Sequence, residues 1–299
     1  MLPWNALYGL LSAASWGFGD FAGGLGVTAA GSSVRGALRV VAVSHAVSVL
    51  LVLPLLWLRH EPLVWNAATA WAMVAGVSMA FSLTAFYVAL SGGSMGPSAA
   101  LSGVLAAALP AVVSSFREGR PTLLHGLGFV LACVAIWLIA SAPSSTGKRS
   151  SLGLATFAGF GFGVYFTALG FANPLGVLWP MALSRATSLA ICGTLLSGIW
   201  LISGRRNPSA RRRNAAAGAR TGAALGWGVL SGAGGTGGDA FFLAATLAGR
   251  LDAAAVLASL YPAGTIALAA LVLKERLTRR QWGGVALAGV AVLAIVWPG

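Results

Sequence analysis

Four ionisable residues lie inside long apolar stretches of this sequence: Asp20, His45, Arg185 and Asp239. An ionisable side chain in hydrocarbon costs several kcal/mol unless it is paired or hydrated, so such residues are candidates for function. Carboxylates in a low-dielectric setting can bind and release protons or cations, and a buried guanidinium can hold an anionic group through two parallel hydrogen bonds. These residue types favour ligand binding and proton or cation coupling.

Each of the four residues has a structural alternative. Asp20 and His45 are candidates for a proton-coupling pair, and Asp239 is a third candidate. Asp20 could instead pair with Arg39 or another cation and fix the register of two helices, and a lone histidine is more typical of packing than of ligation. Arg185 either binds an anionic substrate group or extends towards the membrane interface.

A glycine-rich run, Gly234-Gly235-Thr236-Gly237-Gly238, directly precedes Asp239. Four glycines in five residues disfavour a regular helix, and unwound backbone persists in a membrane only where it lines protein or water. We therefore expect a polar cavity beside this run, with Asp239 facing it. The alternative is a glycine-rich helix packed closely against a neighbour.

The sequence offers no recognisable nucleophile, acid–base pair or metal-binding spacing with which an enzyme would work. Its two cysteines, Cys133 and Cys192, are far apart and lie in apolar segments, where we interpret them as packed hydrophobic residues. We therefore expect a protein that is not an enzyme and that needs no cofactor or metal.

The elements that position these residues are predicted to span a membrane. Apolar residues make up 58% of the 299-residue chain, charged residues only 8%, and the mean hydropathy is +0.85. A soluble domain has about 25% charged residues. Lys and Arg lie mostly between the apolar segments, which argues against nucleic acid as a partner. The ten predicted spans are approximately 6–29, 36–58, 66–90, 96–115, 123–141, 152–171, 176–203, 222–248, 252–273 and 281–298.

The two halves of the chain resemble each other. Trp16-Gly17-Phe18-Gly19 returns as Phe160-Gly161-Phe162-Gly163, and the segment 84–90 returns as 239–245. Five spans per copy force the second copy to enter the membrane inverted, an arrangement typical of transporters. We predict an all-α integral membrane protein with ten transmembrane helices around a central cavity: a first five-helix repeat over 1–141, a linker over 142–151 and a second repeat over 152–299.

The distribution of basic residues predicts the orientation. Of the 19 Lys and Arg residues, 14 lie at the odd-numbered connections and their flanks, and 5 lie on the even-numbered side. The positive-inside rule therefore places the odd connections in the cytoplasm and both termini outside.

The chain resembles the EamA-type branch of the drug/metabolite transporter superfamily over nearly its whole length. The resemblance rests on Trp16-Gly17, Arg39, Ala89-Leu90, Tyr261-Pro262 and the run from Lys274 to Gly284. Arg117-Glu118 in the first half departs from the Glu-Arg order found in the family. The resemblance implies ten helices in two inverted repeats and secondary transport, often export, of amino acids, metabolites or drugs. Members are generally drawn with cytoplasmic termini, opposite to the orientation that the charges predict.

We interpret the chain as a secondary active transporter, an exporter of small metabolites or drugs, in the cell membrane as a monomer or homodimer. Amino-acid-like substrates fit this interpretation, as does proton or cation coupling. Two alternatives are a lipid-carrier flippase and a membrane scaffold subunit that does not transport. The residues predicted to bind substrate are Trp16, Tyr87, Arg185, Asp239 and Tyr261.

Overall fold

The structure is a computed structural model that describes residues 3–92, 95–140, 150–206, 218–272 and 278–296. The described residues are helical and contain no strand. They form eleven α-helices and a short 3₁₀ turn at Asn173–Leu175. The helices are α1 Trp4–Ala29, α2 Val34–Arg59, α3 Ala67–Ser91, α4 Met95–Arg117, α5 Leu123–Ala140, α6 Ser150–Ala172, α7 Leu178–Arg206, α8 Gly218–Ala248, α9 Leu251–Ala258, α10 Tyr261–Val272 and α11 Arg279–Val296.

Several predicted features lie outside the described residues. They include residues 142–149 of the predicted linker, most of the basic loop between α7 and α8, and the Lys274-Glu275-Arg276-Leu277 part of the motif that carries the family resemblance.

Local sequence explains where the helices begin. The Ser33 hydroxyl accepts a hydrogen bond from the Gly36 amide at 3.1 Å and caps α2. Asn66 forms a capping box with Thr69 at the start of α3. These caps satisfy amide groups that the first helical turn leaves without partners.

Five described segments are long and apolar enough to cross a membrane: Val34–Arg59, Ala67–Ser91, Gly153–Leu175, Leu178–Ile202 and Leu251–Leu268. Three shorter apolar helices cover Leu101–Arg117, Leu123–Leu138 and Trp282–Ile295. Many large apolar side chains are exposed on the outside of the bundle, among them Trp57, Trp200 and Leu293. An apolar exterior of this kind suits a lipid solvent.

Helices α1 and α8 are too polar to be among these five segments, yet they pack extensively against each other. Glycines permit this close approach, since a side chain on Gly19 would meet the backbone of Gly234 and Gly235. The helices that carry Asp20 and Asp239 are thereby placed against one another.

The glycine run before Asp239 does not unwind α8, so that part of the prediction is wrong. Helix propensity disfavours each glycine by about 1 kcal/mol, whereas each unsatisfied backbone group in hydrocarbon costs several kcal/mol. The helical conformation therefore has the lower free energy. The run serves packing instead: a side chain at Gly238 would collide with the indole of Trp16.

The ninth predicted span is discontinuous. Its helix is interrupted at Ser259 and Leu260, between α9 and α10. The Leu260 amide bonds to the Leu257 carbonyl at 3.2 Å, and the Ala263 amide bonds to the Leu260 carbonyl at 2.9 Å, so the backbone groups at the break keep partners. The break places Tyr261 at the first residue of α10.

Candidate functional site

Asp239 on α8 is the centre of a buried polar network. Its side chain is fully buried. Oδ1 accepts hydrogen bonds from Trp16 Nε1 at 3.1 Å and from the Tyr165 hydroxyl at 2.7 Å. Oδ2 accepts one from Arg185 Nε at 2.7 Å and lies 2.5 Å from Arg185 Nη2. Both oxygens therefore have donors, and the Arg185 guanidinium supplies a charge opposite to that of the carboxylate.

Arg185 links this carboxylate to His45. Arg185 Nη1 lies 2.6 Å from His45 Nε2, and both residues are buried. A guanidinium can only donate, so Nε2 of His45 accepts and the imidazole is neutral with its proton on Nδ1. The network joins α2, α6, α7 and α8 to α1 and carries no net charge.

Asp20 on α1 has a different environment. Its Oδ1 accepts a hydrogen bond from the Tyr87 hydroxyl at 3.3 Å, and that hydroxyl also lies 2.9 Å from the Ser231 hydroxyl. Tyr87 occupies the space left by the missing side chain of Gly23. Asp20 is 9% exposed and thus less enclosed than Asp239.

The Asp20 side chain lines a small cavity of about 30 Å³ between the two halves of the chain. Four aromatic side chains and two aliphatic ones complete the lining. The lining residues are Trp16, Asp20, Met79, Leu83, Phe162, Phe166 and Tyr261. They come from α1, α3, α6 and α10.

The aromatic lining is held in place by ring contacts and hydrogen bonds. Trp16 stacks on Phe166 with ring centroids 5.0 Å apart, and Phe162 packs edge-on against Tyr261 at 6.3 Å. The Tyr261 hydroxyl lies 2.7 Å from the Ser102 hydroxyl. The cavity wall is thus built from rings whose polar atoms bond to other protein groups.

The family assignment comes from the second half of the chain, where the sequence profile of the EamA-like transporter family matches residues 149–297. Through its second half, this chain belongs to the EamA-like transporter family. It is accordingly a multi-pass membrane protein of the transporter type.

Solved structures support the fold of this EamA-like protein. Eighteen chains match it. One of them, described only as "Crystal structure of protein", is 14% identical in sequence with a TM-score of 0.66, over 97% of this chain and 95% of its own. Such low identity supports a shared fold alone. No protein of curated function matches the sequence.

The structure of the EamA-like protein brings most of the predicted site residues together in two groups. Trp16, His45, Arg185 and Asp239 share the buried network. The second group surrounds the cavity: Trp16, Asp20 and Tyr261 line it, and Tyr87 bonds to Asp20.

Three of the sequence alternatives find no support in these contacts. His45 bonds to Arg185, and Asp20 bonds to Tyr87, so the two are not seen as a bonded proton-coupling pair within the described residues. Arg39 is exposed at the surface, whereas Asp20 is buried. Arg185 does not extend to the interface, because only 3% of its side chain is exposed.

Sequence reasoning missed Phe162, Tyr165 and Phe166, all on α6. Their spacing of three and four residues puts them on one helix face. That pattern begins within the Gly-containing motif of the predicted second repeat and could have marked a face directed at the cavity. Tyr165 donates to Asp239, and the two phenylalanines line the cavity.

A separate set of bonds ties the two halves of the EamA-like protein together near the ends of the helices. Arg250 donates to Asp252 at 2.7 Å and to the carbonyl oxygens of Glu118 and Gly119 at 2.8 Å each. These bonds attach the connection between α4 and α5 to the connection between α8 and α9. We call this group the Arg250 latch.

Proposed function

We propose that this protein is a secondary active transporter of small molecules, an exporter that works by alternating access in the cell membrane. The observation that carries the proposal is the cavity between the two halves, whose lining combines one buried carboxylate with aromatic rings. Transporters bind substrate near the middle of the membrane at the interface of their repeats. Membership of the EamA-like family supports the same function.

The proposal includes ten spans in two inverted repeats, over 1–141 and 152–299 with a linker at 142–151. The helix packing supports it. We count α9 and α10 together as the ninth span. In two equivalent repeats, each span corresponds to the span five places further along, so α1 corresponds to α6 and α3 to α8. The contact of α1 with α8 then corresponds to the contact of α6 with α3. The α4–α6 contact likewise becomes the contact of α1 with α9 and α10. Contacts of all these kinds are present. The matched family region begins close to the proposed second repeat.

The two carboxylates have different roles in this proposal. Asp239 holds α8 to α1, α6 and α7 through its donors, and Arg185 and His45 belong to that same structural unit. Asp20 faces the cavity and accepts from the Tyr87 hydroxyl over a long distance. We therefore propose Asp20 as the group that binds substrate or the coupling proton or cation, with Trp16 and Tyr261 enclosing the substrate.

Exchange across reconstituted vesicles tests the transport function even while the substrate is unidentified. Vesicles containing the protein are loaded with a mixture of amino acids, amines, nucleosides and sugar phosphates, and the compounds released are identified by mass spectrometry. We expect at least one class to leave faster than from protein-free vesicles, and faster under a pH gradient. Release equal to that from protein-free vesicles, with correctly inserted protein, would contradict the proposal.

The matched variants in this assay are Asp20→Asn and Glu61→Gln. Both remove one carboxylate, but Glu61 lies on the surface connection between α2 and α3 and pairs at 3.9 Å with Arg59. We expect Asp20→Asn to abolish release driven by the pH gradient and Glu61→Gln to retain it. Gradient-driven release that persists in Asp20→Asn would remove Asp20 from the coupling step.

A further inference from the structure

The polar groups around the cavity differ in whether they are free to meet a ligand. Trp16 Nε1 is bonded to Asp239, and the Tyr261 hydroxyl is bonded to Ser102. Asp20 carries the one carboxyl group in the described lining, and this group is negative when it is ionised. Tyr87 donates to one of its oxygens at the long distance of 3.3 Å. The carboxylate is therefore the polar group best placed to contact a ligand.

The positive charge of the buried network belongs to Arg185, and Asp239 already pairs with it. Arg185 binds Asp239 through Nε and Nη2 and reaches His45 with Nη1. Its guanidinium does not line the cavity. A ligand carboxylate in the cavity would consequently meet rings and aliphatic groups rather than a cation, and burying an ionised group without a partner is strongly unfavourable.

The remaining wall suits a cation. The rings of Trp16, Phe162, Phe166 and Tyr261 line the cavity beside Asp20. Aromatic faces attract cations, more strongly in a desolvated site than in an exposed one, and clusters of such rings bind quaternary ammonium groups. A single carboxylate among rings does not suit a divalent metal ion, which needs several oxygen ligands.

We propose that this cavity selects organic monocations, with a quaternary or tertiary ammonium group beside Asp20 and an apolar body against the rings, and rejects zwitterionic amino acids. The inference rests on the proposed transport function and specifies its substrate class. It replaces amino-acid-like compounds as the substrate, since their carboxylate has no partner among the described lining residues.

The size of the cavity sets a further requirement. Its volume of about 30 Å³ is far below the ~300–1,000 Å³ of sites for drug-sized ligands. Binding therefore requires the cavity walls on α1, α3, α6 and α10 to move apart. Met79 and Leu83 on α3 are aliphatic lining residues, so their movement breaks no ion pair of the network.

Three probes that share a benzyl group test this selectivity by titration calorimetry of the purified protein in detergent. Benzyltrimethylammonium is a cation, benzyl alcohol is neutral and L-phenylalanine is a zwitterion. We expect a saturable isotherm for benzyltrimethylammonium alone. Tighter binding of L-phenylalanine, or no saturable binding of benzyltrimethylammonium, would overturn the inference.

Variants assign the binding to the cavity. We expect Asp20→Asn to weaken benzyltrimethylammonium binding at least tenfold, because a charged partner is lost, and Glu61→Gln to leave it unchanged. Phe162→Leu removes one ring without removing charge and should weaken binding several-fold. This variant keeps the test decisive if Asp20→Asn does not fold. Unchanged affinity in a folded Asp20→Asn or Phe162→Leu protein would show that the cation binds elsewhere and overturn the inference.

Vesicle exchange separates failure of this inference from failure of the transport function. Release of amino acids or sugar phosphates but not of amines would contradict cation selectivity and leave transport intact. Release of no compound would contradict transport itself. Release of amines that benzyltrimethylammonium inhibits would support both.

Discussion

The ion pair between Arg185 and Asp239 should be the most sensitive polar element of this fold. Both side chains are at most 3% exposed and their charged atoms are 2.5 Å apart. Asp239→Asn leaves one neutral oxygen, which can accept either from Trp16 and Tyr165 or from the guanidinium, and its NH2 group then faces the other set of donors. An uncompensated buried charge remains, and breaking a buried pair in this way costs about 3–5 kcal/mol. Arg185→Gln leaves the Asp239 carboxylate in the corresponding position.

A double-mutant cycle isolates the contribution of the pair. The variant with both Asp239→Asn and Arg185→Gln buries no net charge, so it should be destabilised by clearly less than the sum of the single variants. We expect a coupling energy of about 2–3 kcal/mol, at the upper end for residues in contact. The measurement is reversible unfolding in mixed micelles titrated with dodecyl sulfate, followed by intrinsic fluorescence.

The chain contains a matched control for this cycle. Arg59 and Glu61 form an ion pair at 3.9 Å in which the side chains are 72% and 34% exposed. Exposed pairs contribute about 0–1 kcal/mol, so the cycle Arg59→Gln and Glu61→Gln should give a small coupling energy. If the variants at Arg185 and Asp239 proved additive to within about 0.5 kcal/mol, the argument that this pair holds the helices together would be refuted.

Three further predictions concern packing, the Arg250 latch and orientation. Gly17→Ala should destabilise the fold by about 1–3 kcal/mol, measured by the same unfolding titration, because the added methyl would lie 2.9 Å from the Gly264 Cα on α10. Arg250→Gln should weaken the latch by about 1.5–3 kcal/mol, the range for charged hydrogen bonds, and accelerate hydrogen exchange in both connections that it joins. Ser32→Cys and Pro62→Cys lie at opposite ends of α2, and the charge distribution predicts that an impermeant thiol reagent labels only Pro62→Cys in intact cells.

Controls accompany each of these predictions. Gly226→Ala adds a methyl where nothing lies within 4 Å, so it should be neutral or slightly stabilising, and an equal loss in both glycine variants would contradict the packing argument. Arg120→Gln removes an exposed arginine close to the latch and should leave hydrogen exchange unchanged. The parent protein, with Cys133 and Cys192, gives the background of thiol labelling. Labelling of Ser32→Cys instead would give the orientation usual in the family.

The helices were predictable because the local sequence indicates where each helix begins and ends. Apolar runs of about twenty residues, separated by polar or Gly- and Pro-containing connections, correspond to helices in the described parts of the chain. The break in the ninth span was not predicted, although Pro262 lies just after it and favours the end of a helix, because proline has no amide hydrogen to donate. The glycines of α8 led to the opposite error, a break that the structure does not have. Helix propensities measured in water do not include the free energy of leaving backbone groups without hydrogen bonds in lipid.

The residues of the site were predictable from the sequence, but the hydrogen bonds and ion pairs between them were not. An ionisable side chain in an apolar segment is energetically unfavourable unless it is paired or hydrated, so such residues can be recognised in the sequence as site candidates. Which cation joins which carboxylate depends on how α2, α7 and α8 meet, and no spacing along the chain encodes that. Arg185 and Asp239 are 54 positions apart, and the donor Tyr165 becomes evident only once the inward face of α6 is identified.

In the proposed mechanism, the number of donors around each carboxylate explains why the two acids have different roles. Asp239 has donors from Trp16, Tyr165 and Arg185, and a ligand would have to displace one of them at the cost of a buried unsatisfied group. Asp20 has a weak bond to Tyr87 and faces the cavity. Trp16 connects the two sites, since its nitrogen serves Asp239 while its ring lines the cavity. A ligand that shifts this ring therefore strains the network that holds α1 to α8, which gives binding a direct route to helix movement.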